Sequence, residues 1–322
     1  MPNTHDVGEE IGSHQKYERL IAKAKQVPQM RTVVAHPCDE TSLRGAVEAA
    51  EVGLMRPVLV GPGEKVRALA KSCELDISPF ELIDVPHSDA AAAKAVDIIR
   101  EGGADLLMKG SLHTDELMRA VTSSTTGLRT ARRISHVFVM DVPNYSETLF
   151  ITDAAINIAP DLDAKRDIIQ NAIDLFTHVG LGVPRVAILS AVETVTLKIP
   201  STIDAAALCK MAERGQITGG ILDGPLAFDN AIDPEAARIK GIQSPVAGSA
   251  QILVVPNLEA GNMLAKNLTF LARADAAGIV LGARVPIILT SRADSVRARL
   301  ASCAVAVLFA DARRRTAPIQ GG

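Results

Sequence analysis

The stretch Leu106-Leu-Met-Lys-Gly-Ser-Leu-His-Thr-Asp115 passes from a short apolar run through a polar loop into the start of an amphipathic segment. Its first four residues predict a buried strand, and residues 115–121 predict a helix. Segments of these two kinds alternate along almost the whole chain, with short β-branched runs separated by longer alanine-rich stretches. This alternation is typical of strand, crossover helix and parallel strand units. The sequence therefore predicts an α/β fold with a mainly parallel sheet.

The number of predicted strands bears on the domain organisation. Twelve runs predict strands, the last of them at residues 305–309. Open sheets rarely exceed about ten strands, and 322 residues is a usual length for two domains. We therefore expect two sheets in two domains. The chain is expected to cross between them near Pro143, because proline interrupts strand pairing.

The charge and composition exclude several classes of partner. The chain has 34 basic and 37 acidic side chains, so it offers no general attraction for nucleic acid or anionic membranes. Aromatic residues make up 3% of the chain, which leaves few stacking platforms for single-stranded nucleic acid. The N-terminal residues lack the pattern of a secretory signal. The most apolar run late in the chain, 301–310, has half the length of a membrane span, which needs about 20 residues. We expect a cytoplasmic protein that binds neither nucleic acid nor membrane.

Several catalytic motifs are absent from the sequence. The four cysteines form no CxxC pair and lie at no metal-ligand spacing from a histidine, so neither a metal site nor a disulfide framework is predicted. No GxGxxG motif follows a strand, and neither GxxxxGK[ST] nor GxSxG occurs. These absences disfavour classical dinucleotide binding, P-loop hydrolysis and acyl-serine chemistry.

Polar side chains gather in the loop that follows the predicted strand at 106–109. In open α/β sheets, ligands bind at the carboxyl ends of strands, next to helix N-termini. Lys109, Ser111, His113 and Thr114 supply a cation, two hydroxyls and an imidazole there, around Gly110, which permits close approach of backbone to a ligand. The alternative is structural, with Thr114 as a helix cap and His113 on the surface. Lys109 favours the functional interpretation, because a charge at the end of an apolar strand usually has a partner.

A second polar loop, Thr290-Ser-Arg-Ala-Asp-Ser295, ends the predicted strand at 286–290. Its hydroxyls and guanidinium suit a phosphate or a developing oxyanion. Ser291 and Asp294 also have the spacing of a capping box, which is a purely structural arrangement. Neither capping nor the helix dipole explains Arg292, because a cation is unfavourable at a helix start.

Other strand ends carry weaker candidates. Asn257 precedes a predicted helix and suits a cap, whereas Gly261 near the helix start indicates a close backbone approach. Asp223 and Gly224 suit either a turn or a ligand contact. Arg133 suits a nucleotide phosphate, or simply a solvated face of the protein.

Five segments, taken in order, resemble the phosphate acetyltransferases and phosphate butyryltransferases. The likeness runs from about Tyr17 to Phe309. The segments are Lys109-Gly-Ser-Leu-His-Thr-Asp115, Ile151-Thr-Asp-Ala-Ala-Ile-Asn157, Gly220-Ile-Leu-Asp-Gly-Pro225, Pro256-Asn-Leu-Glu-Ala-Gly-Asn262 and Pro286-Ile-Ile-Leu-Thr-Ser-Arg-Ala-Asp294. Any one of these motifs is weak, and the five together are specific.

The resemblance implies two three-layer αβα domains, similar to those of isocitrate and isopropylmalate dehydrogenases, with a cleft between them. The first would comprise residues 1–141 and 283–322, and the second residues 142–282. The resemblance also implies a homodimer that catalyses the reversible transfer of an acyl group between coenzyme A and phosphate. In this family the transfer is direct, within a ternary complex. Coenzyme A or acyl-CoA binds as a substrate, and no tightly bound cofactor or metal is implied.

The resemblance further implies roles for individual residues. Ser291 and Arg292 match the serine and arginine that contact the acyl phosphate and stabilise the transition state. The acetyltransferases place an aspartate, the proposed base for the thiol, where this chain has Ala298. Asp294 is the substitute, as in the butyryltransferase-like pattern Ser-Arg-Ala-Asp, while the acyl chain length stays open between acetyl, propionyl and butyryl. The remaining predicted substrate-binding residues are Lys109, Ser111, His113, Thr114, Arg133, Asp223, Gly224, Asn257, Gly261 and Asn262.

Two other functions stay open on the sequence. A metal- and NAD-dependent decarboxylating dehydrogenase has a related architecture. It needs a cluster of acidic ligands for a divalent cation, and only Asp223 and Asp229 are candidates for that cluster. A catalytically impaired acyl-CoA-binding relative would share the cleft without the chemistry. Ala298 in place of the usual base supports that alternative.

Overall fold

Eleven strands form one continuous sheet in the computed structural model, which describes residues 15–290 and 294–316. The strands are β1 Met30–Ala35, β2 Met55–Gly61, β3 Glu81–Asp84, β4 Leu106–Lys109, β5 Ser135–Asp141, β6 Leu149–Thr152, β7 Arg185–Leu189, β8 Ile221–Leu226, β9 Ile252–Val254, β10 Asp275–Leu281 and β11 Ile287–Ile288. Across the sheet they follow the order β3-β2-β1-β4-β11-β10-β5-β6-β9-β7-β8. The predicted α/β fold with a mainly parallel sheet is confirmed. The prediction of two separate sheets is wrong.

The sheet consists of two parallel sets of strands that run in opposite directions. One set is β3, β2, β1, β4 and β11, and the other is β6, β9, β7 and β8. Between the sets, β5 and β10 form antiparallel pairs with each other and with β6 and β11. The loop that contains Pro143 connects β5 to its antiparallel neighbour β6. It therefore turns the chain without ending the sheet, which is why one sheet forms where two were predicted.

Helices separate most of these strands along the chain. In the described residues they are α1 Gln15–Ala24, α2 Glu40–Glu51, α3 Gly63–Ser72, α4 Ser88–Arg100, α5 Thr114–Thr122, α6 Leu162–His178, α7 Pro200–Glu213, α8 Phe228–Ile232, α9 Pro234–Ile239, α10 Leu258–Leu271 and α11 Val296–Thr316. None of these helices combines the length and the hydropathy of a membrane span.

Helix α11 corrects one predicted strand. Residues 305–309 lie in the middle of this helix, and every residue from 301 to 310 is buried. A helix that is buried on all sides is apolar on every face, so its sequence shows no helical periodicity and resembles a buried strand.

A buried tyrosine ties α1 to the two antiparallel strands. Tyr17 donates its hydroxyl to the carbonyl of Val139 on β5 and accepts the backbone N–H of Ala277 on β10 at 2.6 Å. Burial raises the pKa of this phenol, so the hydroxyl stays protonated. The contacts hold β5 and β10 together at the place where the sheet changes direction.

Candidate active site

A cavity of about 360 Å³ lies between the loops that follow β4 and β11. Residues of β5 and β10 also line it, so it sits where the two sets of strands meet. Five predicted site residues come together here, one of which, Asp294, arrives from the far end of the sequence. The described lining residues are Lys109, Ser111, Leu112, His113, Thr114, His136, Phe138, Ala155, Gly278, Leu289, Thr290 and Asp294.

The loop after β4 is held against the end of β1. The backbone N–H groups of Gly110 and Ser111 donate to the carbonyls of Ala35 and His36 at 2.9 and 2.8 Å. A Cβ at position 110 would lie 2.3 Å from the Ala35 oxygen, so only glycine fits. The prediction that Gly110 makes room for a ligand is therefore corrected, because it makes room for β1.

His36, which the sequence analysis did not single out, positions Ser111. The Ser111 hydroxyl lies 2.9 Å from both His36 Nδ1 and the His36 carbonyl oxygen. Burial and the nearby Lys65 charge lower the pKa of His36, which favours a neutral imidazole. The predicted cap at Thr114 is also corrected: α5 begins at Thr114, and His113 occupies the cap position without a side-chain bond to the helix.

The loop after β11 contains two predicted catalytic residues, Ser291 and Arg292, which lie outside the described residues. The described residues on either side, Thr290 and Asp294, both line the cavity. Helix α11 begins after them, with the Ser295 hydroxyl accepting the N–H of Ala298 at 3.1 Å. Ala298 is buried in the core and is not among the residues that line the cavity.

A buried arginine supports the start of α11. Arg299 donates from Nη1 to the Asp294 carbonyl at 2.8 Å, and its Nη2 lies 3.4 Å from Glu48 Oε2 on α2. A Cβ at Gly45 would lie 3.2 Å from Arg299 Nε, so the glycine leaves space for the guanidinium. The sequence signal for Arg299 is a charge within an otherwise apolar helix.

His136 and Phe138 project from β5 into the wall of the cavity. Their rings pack edge to face with centroids 4.4 Å apart. Burial lowers the pKa of His136 to about 4, so the imidazole is neutral at physiological pH. His136 was not predicted as a site residue, because a single histidine in an apolar strand indicates no more than a core position.

A turn after β6 is organised by one buried carboxylate. Asp153 accepts the backbone N–H groups of Ala155, Ile156 and Asn157 at 2.9 to 3.2 Å, together with the Asn157 side-chain amide. Asn157 in turn accepts from Arg133 Nε at 2.9 Å. The turn thus links the first cavity, which Ala155 lines, to the side chain of Arg133.

A second cavity of about 520 Å³ lies on the other side of this turn. Ile156 and Asn157 line it, and four arginines surround it. These are Arg129, Arg132, Arg133 and Arg166. Arg133 is therefore separated from the other predicted site residues by residues 153–157.

The predicted residues of α10 lie behind the turn. Asn257 accepts the N–H of Ala260 at 2.9 Å and caps the helix. A Cβ at Gly261 would lie 2.9 Å from the Ala154 Cβ, and Asn262 donates to the Ala154 carbonyl at 3.3 Å. These residues support the turn and do not line the first cavity.

Asp223 and Gly224 are not brought to the cavity either. They lie on β8, the edge strand of the set that runs opposite to β4 and β11. Asp223 accepts the Gly224 N–H at 2.8 Å, as a turn residue does. Within residues 15–290 and 294–316, no group of three or more histidine, cysteine or acidic side chains is placed to hold a metal ion.

Comparisons with known proteins match this chain to one family. Residues 87–307, more than half of the chain, match a family model described as "Phosphate acetyl/butaryl transferase". The chain is 75% identical to a phosphate acetyltransferase of Rhizobium meliloti over 94% of its own length and 96% of that protein. It is 42% identical to a phosphate butyryltransferase of Clostridium beijerinckii over 91% and 97% of the two chains.

A solved structure shows the same fold. A branched-chain phosphotransacylase from Enterococcus faecalis V583 superposes with a TM-score of 0.76 at 28% sequence identity. The match covers 88% of this chain and 99% of that one.

Proposed function

The chain belongs to the phosphate acetyl/butyryl transferase family and is a phosphate acyltransferase, and from this premise we propose that it converts acetyl-CoA and phosphate to acetyl phosphate and coenzyme A in the first cavity. The observation that carries the proposal is the convergence of Lys109, Ser111, His113, Thr114 and Asp294 on one cavity. The acetyl group is favoured because the 75% identical relative is an acetyltransferase, whereas the butyryltransferase relative is 42% identical. This outweighs the butyryltransferase-like Ser-Arg-Ala-Asp pattern.

The cavity suits direct transfer between the two substrates. Lys109 supplies positive charge for the phosphate, the free backbone N–H groups at the start of α5 supply partial positive charge, and Ser111 and Thr114 supply hydroxyl groups. Phosphate attacks the thioester carbon, Ser291 and Arg292 stabilise the developing negative oxygen, and the CoA thiolate leaves. In the reverse direction Asp294 accepts the thiol proton, since thiolate is the nucleophile. Coenzyme A thus acts as a substrate.

The test of this function uses acetyl-CoA, phosphate and labelled coenzyme A. We expect release of free thiol that depends on phosphate, and faster turnover of acetyl-CoA than of butyryl-CoA. Without phosphate we expect no exchange of label into acetyl-CoA, because direct transfer forms no acyl-enzyme. Exchange in the absence of phosphate would contradict direct transfer, and a lack of thiol release would contradict the function itself.

We propose that coenzyme A lies across the turn at 153–157, with its thiol end in the first cavity and its nucleotide in the second. The two cavities flank this turn, and α5 begins at one and ends at the other, with Thr114 and Thr122 as lining residues. Three aspartates also line the second cavity, and Arg132 and Arg166 pair with aspartates. The guanidinium groups of Arg129 and Arg133 are therefore the ones that suit phosphate groups, which arginine binds with paired hydrogen bonds.

Arg133→Ala is expected to raise the KM for acetyl-CoA about tenfold, because one charge-assisted hydrogen bond is lost. The kcat should change little, since Arg133 lies away from the reacting atoms. Acetylpantetheine lacks the nucleotide and is the control substrate, and its KM should be the same for both proteins. An equal rise in KM for both substrates would contradict the proposed placement of the nucleotide.

We also propose the two-domain division at residues 1–141 with 283–322 and residues 142–282, as in isocitrate and isopropylmalate dehydrogenases. The reversal of strand direction beside β5 supports it. Two of the three hydrophobic clusters, around Val33 and around Leu253, each lie mainly in one of these parts, while the third, which contains Leu43 and Phe176, joins them. The cytoplasmic location and the lack of nucleic-acid and membrane partners stay predictions.

We propose a homodimer as the state of assembly. On α10, Phe270 and Leu271 are 73% and 81% exposed, and neighbouring large apolar side chains on a surface are typical of an interface. Sedimentation equilibrium should give about twice the 34.0 kDa chain mass. A monomer mass at micromolar concentration would contradict this assembly.

A further inference from the structure

His136 is a buried polar side chain whose ring nitrogen Nδ1 has no hydrogen-bond partner in the part of the chain that the structure describes. The side chain is 1% exposed, and its Nδ1 makes no hydrogen bond. Buried polar groups in native proteins almost always form a hydrogen bond, so an exception requires an explanation. His136 also lines the first cavity, which places it beside the substrates of the proposed reaction.

Glycine on the neighbouring strand leaves one ring nitrogen uncovered. Gly278 lies opposite Phe138 in the pairing of β10 with β5. A Cβ at position 278 would lie 3.1 Å from His136 Nε2, and Gly278 also lines the cavity. The same Cβ would lie 2.5 Å from the Leu289 carbonyl oxygen, so the glycine leaves no β-carbon between Nε2 and the part of the cavity that Gly278 lines.

The surroundings of His136 suit the acyl end of a substrate. Phe138, Leu289 and Ala155 provide apolar surface in the same cavity, whereas the charged Lys109 lies on the loop after β4. An acetyl methyl group would pack on the apolar side, which brings its carbonyl oxygen next to the imidazole.

We propose that His136 is a catalytic hydrogen-bond donor, and that its Nε2–H binds the carbonyl oxygen of the acyl group and stabilises it as it becomes negative. The inference rests on the proposed function and adds a residue to it. A phosphate oxygen forms a bond to the carbonyl carbon, and the carbonyl electron pair moves onto oxygen. The pair then returns and expels the CoA thiolate, and His136 keeps its proton throughout.

His136 suits the role of a neutral hydrogen-bond donor better than that of a general base. The charged and titratable groups that face it are Asp153 from the turn after β6, Lys109 and His113 from the loop after β4, and Asp294 from the segment before α11. Burial outweighs the attraction of Asp153 and keeps the pKa of His136 at about 4. A neutral donor does not attract an anion in the ground state. It can still bind the carbonyl oxygen, which becomes negative only in the transition state.

The test compares two amide substitutions in the full-length protein. The amide nitrogen of glutamine in His136→Gln reaches about as far as Nε2, whereas that of asparagine in His136→Asn reaches only as far as Nδ1. We expect kcat for acetyl-CoA to fall about 10²-fold in H136N and to stay within about tenfold of wild type in H136Q, with both KM values nearly unchanged. The kcat profile between pH 5.5 and 8 should keep its shape in H136Q, because no proton is transferred.

Equal kcat values for H136N and wild type would overturn the inference, and so would a loss confined to the KM for phosphate. The ¹⁵N spectrum of the wild-type imidazole is an independent readout if a variant is unstable. Adding acetyl phosphate should shift the Nε2–H signal, and an unchanged signal would count against the contact. If the wild-type protein releases no thiol, the proposed function is contradicted, and the inference about His136 fails with it.

Discussion

Arg292→Ala is expected to lower kcat for acetyl phosphate formation about 10² to 10³-fold. The carbonyl oxygen gains a full negative charge as phosphate attacks, and a fixed guanidinium stabilises that state by about 3 kcal/mol. The charge is small in the ground state, so the loss should appear in kcat and only weakly in KM. The measurement is the initial rate of thiol release at saturating acetyl-CoA and phosphate.

Two further variants separate this role from a general loss of charge. Arg292→Lys keeps the charge but loses the planar fork of donors, so we expect an intermediate rate. Arg297→Ala removes an exposed arginine five residues later on α11, and its rate should stay within about twofold of wild type. If Arg292→Ala raised only the KM for phosphate, the residue would bind substrate and not stabilise the transition state.

Local patterns predicted most strands, because a strand of three to seven residues depends mainly on its own apolar run. The predicted strand at 106–109 agrees with β4. Helix α11 could not be predicted in the same way. Its apolar run is buried against α1 and β10, and burial on all sides removes the periodicity that distinguishes a helix from a strand.

The number of sheets depends on long-range pairing that no single segment shows. Pairing of β5 with β10 joins residues 135–141 to residues 275–281, and this contact merges the two parallel sets into one sheet. Counting strands along the chain reveals nothing of that pairing. The prediction of two sheets rested on the usual limit of about ten strands for an open sheet, which this sheet exceeds through its antiparallel centre.

The first cavity could be predicted in part for a topological reason. The loops after β4 and β11 follow adjacent parallel strands, so Lys109 and Asp294 meet although they are far apart in sequence. His136 could not be found this way, because it lies within β5 and not in a loop after a strand. Asp223 carried a similar sequence signal to Lys109, but its strand belongs to the set that runs the opposite way.

Asp153→Ala is expected to lower both stability and activity. Its carboxylate accepts hydrogen bonds from three backbone N–H groups of the turn. Without the carboxylate these groups lose their acceptor, which should lower the free energy of unfolding by about 3 to 5 kcal/mol. For a chain of this length the melting temperature should fall by about 4 to 8 °C. Released from Asp153, Asn157 would no longer hold Arg133, so the KM for acetyl-CoA should rise as well.

Asp153→Asn and Asp233→Ala distinguish the network from an ordinary cap. Asparagine keeps one acceptor oxygen for Ala155 and Ile156, so its stability should lie between those of Asp153→Ala and wild type. Asp233 accepts a single N–H, from Ala236 at 2.8 Å, and its removal should cost about 1 kcal/mol with no change in KM. A loss of stability in Asp153→Ala no larger than in Asp233→Ala would show that the turn holds its shape without the carboxylate. The turn between the two cavities would then have to be held in place by the packing of Gly261 and Asn262 against Ala154.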